Sequence, residues 1–222
     1  KHINALIDQP IDITWTHPIT TMRGSSFHRG SFTDDTALML MFIQSIVSTA
    51  LKNSKEKKSS QNLKDDVSYF FDQFDGGKRI RHWIRKGIDE HLDDRGIGRG
   101  NYIEFVVNRK NYKENPIEVS KECWINEGKE KTGNGGVMRT GACGCFLFWD
   151  EKKVIEIAKQ FCQCTHYDPR CVFSSVLISL IISRLIQWRV GLIKMFDLDQ
   201  TIDEVKQIFT HKNDEDDEID FI

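Results

Sequence analysis

The chain has 222 residues, 39% of them hydrophobic and 29% charged, which suits one ordinary globular domain over residues 1–222 with a core of its own. Its 31 basic and 33 acidic side chains leave a formal net charge of −2, so no strong global field favours nucleic acid or an anionic membrane, and neither is expected as a partner. Six cysteines are too few for a disulfide scaffold of this length and no signal peptide opens the sequence, so the expected setting is reducing and intracellular, in the cytoplasm.

Residues 1–30 carry Pro10, Pro18 and scattered Thr and His, which predicts an irregular lead-in. Over 34–51 the apolar residues Leu38, Met39, Phe42, Ile43, Ile46, Val47 and Ala50 recur at spacings of three and four, the period of a helix packed on one face, with Thr33 as its N-cap. The stretch 52–64 is rich in Lys, Ser and Asn and predicts a solvated, mobile loop. Helical patterns resume over 65–74, 80–91, 117–126, 151–164 and 171–188, separated by Gly- and Pro-containing breaks. Only 102–107 reads as a short strand, so the expected fold class is all-α. The most apolar stretch, 176–186, carries Ser179, Ser183 and Arg184 and is too short and interrupted for a bilayer span. Residues 213–222 include six acids, which predicts an exposed, poorly ordered tail that could meet a protein partner. That tail lacks the glycine and the spacing of an EF-hand.

Three short segments could carry chemistry. In Thr33-Asp34-Asp35, two adjacent carboxylates beside a hydroxyl can offer several hard oxygens to one divalent cation, although the same residues also suit the start of a helix. In Gly133-Asn134-Gly135-Gly136-Val137-Met138-Arg139, the glycines permit positive φ and a close backbone approach to a ligand, and Arg139 can anchor the loop or meet a phosphate. In Thr165-His166-Tyr167-Asp168-Pro169, Asp168 and Pro169 mark a helix start, with His166 on the loop just before it. The pairs Cys143-x-Cys145 and Cys162-x-Cys164 could in principle bind zinc with His166, but this spacing strains tetrahedral geometry, and buried thiols in a helical core are the better reading.

Taken together, the three segments resemble the ADP-ribosylglycohydrolase family, whose members carry an S/T-D-D step, a G-N-G-x-x-M-R loop and a T-H-x-D-P step in this order. The run Asp94-Arg95-Gly96-Ile97-Gly98-Arg99-Gly100 resembles a segment of one eukaryotic microbial branch, and the likeness spans residues 23–188. The resemblance implies an all-α domain that holds two Mg²⁺ ions and hydrolyses the glycosidic bond from ADP-ribose to a protein side chain or a small molecule. By position, it implies Thr33, Asp34 and Asp35 as metal ligands, Gly133, Asn134, Gly135 and Gly136 along the phosphates and ribose, His166 at the nucleotide, and a structural Arg139. The expected partner is ADP-ribose or an ADP-ribosylated protein.

Two family features find no counterpart: the early G-D-A segment with its catalytic glutamate, and the late Asp-x-Asp-Thr step. The nearest late string, Asp197-Leu198-Asp199-Gln200-Thr201, is better read as a helix cap. No catalytic residue is therefore assigned, and the domain is expected to be partial. Its alternative to hydrolysis is a catalytically inactive module with a structural or protein-interaction role.

Overall fold

The computed structural model describes residues 33–55, 66–88 and 96–210. Among them about 70% are helical and none is in a strand, so the all-α class holds. The helices are α1 (Asp34–Lys55), α2 (Gln73–Lys86), α3 (Asn101–Val107), α4 (Pro116–Asn126), α5 (Gly141–Cys145), α6 (Glu151–Gln163), α7 (Pro169–Arg189) and α8 (Leu198–Thr210). Short 3-10 turns occupy Val67–Tyr69 and Val137–Arg139.

Helix α7 is the hub, packed against α5, α6 and α8, while α1 lies on α2 and α3 and α4 cover the other side of α2. Where these layers meet, Phe42 of α1 stacks on Phe161 of α6 at 4.6 Å and on Phe71 at 5.7 Å. Leu38, Ile80, Trp83, Val154, Ile157 and Leu180 close the core around them. Each fully buried aliphatic or aromatic side chain of this kind contributes about 1.5–3 kcal/mol over leaving it exposed.

The start of α1 has Asp34 and Asp35 in its first turn and Lys52 and Lys55 in its last, each sign at the end of the helix dipole that favours it. The packed face is narrower than the sequence predicts. Ile43, Val47 and Leu51, one turn apart, are 43%, 51% and 56% exposed. The loop expected from residue 52 begins later, because α1 continues to Lys55 and buries Asn53, whose Nδ2 donates to Tyr69 O at 2.8 Å. Residues 56–64 of that loop, the lead-in 1–30 and the acidic tail lie outside the described residues.

The helix expected over 65–74 is broken in two. Asp66 Oδ1 accepts from Ser68 N–H at 2.9 Å and Asp72 Oδ1 from Phe74 N–H at 2.8 Å, and such side-chain bonds compete with a continuous helix. The second of these caps starts α2 seven residues before the position expected for it. The predicted strand 102–107 is helix α3. Its β-branched and aromatic residues suggest a strand, but Ile103, Val106 and Val107 fall on one buried helical face, and packing overrides propensity.

Helix α7 spans 21 residues, longer than the apolar stretch read from sequence, and its length and composition alone would suit a membrane crossing. Its polar residues are used inside the domain. Ser179 Oγ lies 2.8 Å from Ser175 O and 3.0 Å from Thr140 O, with its one hydrogen shared between them, Ser183 Oγ donates to Phe148 O at 2.8 Å, and Gln187 Nε2 to the same carbonyl at 2.8 Å. Arg184 pairs with Glu151 of α6 at 2.8 Å and with Glu204 of α8, and its Nη1 donates to Thr201 Oγ1 at 3.0 Å. Asp197 Oδ1 accepts from Gln200 N–H at 3.0 Å, so the late acidic string caps α8 as expected.

Candidate functional site

At the head of α1, Thr33 O accepts from Ala37 N–H at 3.0 Å, the first bond of the helix. The Thr33 hydroxyl donates to Asp35 Oδ2 at 3.0 Å, so its single proton is spent and its lone pairs stay available. Burial, and then the like charge of Asp35, push the Asp34 carboxyl up to about 6. Among the described residues neither carboxylate forms an ion pair. Three hard oxygen donors on adjacent residues, two of them mutually repelling acids, fit one side of a divalent-cation site. They do not complete one, because among the described residues no group of three or more His, Cys, Asp or Glu side chains comes together.

The second patch is built around His166, which is 2% exposed. Arg139, fully buried, donates from Nη2 to Thr165 Oγ1 at 2.7 Å, to Phe161 O at 2.8 Å and to Cys162 O at 3.3 Å, with its guanidinium 4.6 Å from the Phe161 ring centre. Thr165 Oγ1 stands 2.9 Å from His166 Nδ1. An arginine can only donate, so the threonine hydroxyl accepts from Arg139 and its own hydrogen is free for His166 Nδ1. When the hydroxyl donates to Nδ1, the proton of the neutral imidazole sits on Nε2; when its second lone pair accepts from Nδ1–H, Nε2 is the acceptor. Burial, reinforced by the Arg139 charge and only partly opposed by Asp168, pushes the His166 pKa down to about 3, so the ring is neutral at ordinary pH.

The glycine loop presses on this ring. A Cβ on Gly135 would lie 2.7 Å from His166 Cε1 and 2.9 Å from Ile103 Cδ1, and one on Gly136 only 2.6 Å from Cys162 Sγ. Close approach is what the loop needs from its glycines. The positive φ expected of them is not found, since Gly133, Gly135 and Gly136 are all absent from the left-handed positions. Gly133 and Asn134 are exposed, with a Gly133 Cβ position 3.3 Å from His166 Nε2, and Gly135 and Gly136 are buried. The loop leads into the 3-10 turn Val137–Arg139, where Met138 N–H donates to Asn134 O at 3.0 Å.

Asp168 fixes the floor. Its Oδ2 accepts from Trp124 Nε1 at 2.9 Å and its Oδ1 from Arg170 N–H at 2.9 Å, the capping bond that starts α7. Burial pushes its carboxyl up, but the bonds from Arg170 and Trp124 outweigh that and hold it below the usual range. The cysteines near the loop are packing groups. Burial pushes Cys162 up to about 11 and Cys171 up to about 12, and Cys123, Cys143 and Cys164 are buried as well, while Cys145 is exposed.

The segment 98–103 joins the two patches. Gly98 has φ +76°, and a Cβ there would sit 3.0 Å from Asp34 Oδ1 and 3.1 Å from Thr33 Cβ. Four residues later, Tyr102 meets His166 edge-on at 5.4 Å between ring centres, and Ile103 touches the Gly135 position. Four residues reach at most about 14 Å even when fully extended, so the carboxylate pair and the imidazole are held near one another. Burial pushes the Tyr102 phenol up to about 12, and its buried hydroxyl has no hydrogen-bond partner among the described residues. Sequence reasoning missed Tyr102, because its neighbourhood reads as a strand, and it assigned no role to Thr165. Tyr102 stands two residues after the glycine run Gly96–Gly100, at the start of α3.

The family model described as ADP-ribosylglycohydrolase matches residues 3–220. The chain belongs to this family. ADP-ribosylglycohydrolases are all-α, metal-dependent hydrolases acting on ADP-ribosylated substrates, which agrees with the helical fold seen here. The match extends beyond residues 23–188, the span of the motif likeness, on both sides. Neither the curated proteins nor the solved structures give a match.

Proposed function

We propose that this ADP-ribosylglycohydrolase hydrolyses, with Mg²⁺, the glycosidic bond joining ADP-ribose to a protein side chain or a small molecule. The observation that carries the proposal is the pairing, through residues 98–103, of two carboxylates without an ion pair among the described residues with a neutral imidazole. Thr33, Asp34 and Asp35 would hold the metal. A bound divalent cation supplies Lewis-acid charge to sugar hydroxyls and to water near the bond that breaks. His166 offers Nε2 to the nucleotide, Tyr102 adds a hydroxyl, and the exposed Gly133 and Asn134 backbone lines the approach. The departing bond acquires oxocarbenium character at the sugar, and the burial of His166 keeps bulk water from competing for its hydrogen bonds.

The test is release of ADP-ribose from a modified protein, measured with Mg²⁺ and with chelator. Release that requires Mg²⁺ and falls at least 100-fold in folded Asp34→Ala and Asp35→Ala variants is expected; undiminished release by either variant would refute the site.

The missing third ligand among the described residues favours a second reading, a module that binds ADP-ribose without cleaving it. Calorimetry separates the two. Metal-dependent ADP-ribose binding with no turnover supports the module, and turnover excludes it.

A further inference from the structure

A cavity of about 660 Å³ opens between α1, α2 and the turn carrying Lys113 that follows α3, and it shares no residue with the site described above. Its α1 wall, Met41 and Gln44, lies seven and ten residues beyond Asp34, about 10–15 Å along the helix. The lining is strongly one-signed. Lys78, Arg81, Arg85, Lys86 and Lys113 face it, and among the described residues none of them forms an ion pair. The one acid of the lining, Asp75, is already spent on Arg79, whose Nε it holds at 2.6 Å. Arg81 Nε is buried with no hydrogen-bond partner, and its Nη1 reaches only Arg109 O at a long 3.3 Å.

Five cations without an ion pair among the described residues therefore surround one cavity. Gathering them costs self-repulsion that a polyanion would relieve, and an unpaired guanidinium N–H is suited to a phosphate oxygen. The volume falls within the roughly 300–1,000 Å³ typical of small-molecule sites. Met41 and Ile88 supply an apolar surface and His82 an aromatic ring, which an inorganic anion would leave unused. We propose that this cavity is a second ligand site, for a nucleoside di- or triphosphate, with the phosphates on the cations and the nucleoside against Met41, Ile88 and His82.

The proposal does not depend on the hydrolase reading, and its test keeps the two apart. ATP is titrated calorimetrically into the full chain with chelator present, alongside inorganic pyrophosphate and a single-stranded oligonucleotide. One ATP per chain is expected, bound more tightly than pyrophosphate, weakened at least tenfold by Arg85→Glu and by Lys113→Glu, and retained in Lys113→Arg and Asp34→Ala. Arg85 and Lys113 are exposed, so both reversals should fold, and circular dichroism checks that they do. Absence of ATP binding, insensitivity to both reversals, loss of binding in Asp34→Ala, or binding of the oligonucleotide but not ATP would each overturn the proposal.

Discussion

Thr165 has one hydrogen to give, and the direction in which it gives it decides which nitrogen of His166 carries the proton. Thr165→Val removes the acceptor for Arg139 and the partner of Nδ1 while nearly keeping the volume. It should cost about 1–3 kcal/mol, the usual cost of leaving buried polar groups unpaired. It should also release the tautomer, seen as a change in the two imidazole nitrogen shifts of His166 by NMR; an unchanged pattern in a folded variant would remove the relay. The same ring gives a pH dependence. His166 takes up a proton at its ordinary 6.5 when unfolded but only near 3 in the fold, so throughout that window the unfolded chain binds more protons. Its contribution to stability is therefore complete above pH 6.5 and is lost as pH falls towards 3, by at most roughly 1.4 kcal/mol per pH unit. Asp34 works in the opposite sense, since the fold protonates it more readily than the unfolded chain does. With chelator present, His166→Gln should lose less stability than the parent protein between pH 6.5 and 5 in urea melts, and equal slopes would contradict a buried neutral imidazole. At this scale sequence could name Asp34, Asp35 and His166 because their motif wording is distinctive. It could not name Tyr102, whose role depends on a contact between residues 64 positions apart.

The elements carry those residues to their places, and α3 with the turn before it does the most. Gly98 tolerates its left-handed backbone at no steric cost and leaves room for the Asp34 carboxylate. An alanine there would be strained by about 1–2 kcal/mol and would also crowd the carboxylate at 3.0 Å. Gly98→Ala should accordingly weaken Mg²⁺ binding, read by calorimetry, by more than its loss in thermal stability implies; metal affinity equal to that of the parent would show that the glycine serves the turn alone. A clear start signal was legible at Asp168-Pro169, which begins α7 where the sequence puts it, while the late string was read as a cap and the helix α8 over Leu198–Thr210 was not among the helical patterns foreseen. Elements failed where two local signals competed. Asp66 and Asp72 broke one predicted helix into a turn and a new start, and the Tyr-Ile-Glu-Phe-Val-Val run of α3 has strand composition on a helical frame. Periodicity alone also overstated the buried face of α1, because a spacing of three and four does not say how wide the covering surface is.

For the whole molecule, fold class and family were legible together, since patterning gives helices and three ordered motifs give the relatives. Carboxylates that would complete the proposed metal site were not, because nothing in the sequence supplies a second acidic step of the expected wording. The distribution of sulfur has a consequence of its own. All six cysteines of the chain lie among the described residues, five of them buried (Cys123 on α4, Cys143 on α5, Cys162 and Cys164 at the end of α6, Cys171 on α7) and one, Cys145, at the surface. A thiol reagent should modify about one sulfur quickly in the native state, and the other five only as the domain opens. Six equivalent fast reactions would mean that α6 and α7 are not closed as described. Otherwise, the slow phase turns the cysteines into an internal stopwatch, which times how long each molecule stays folded without any added label.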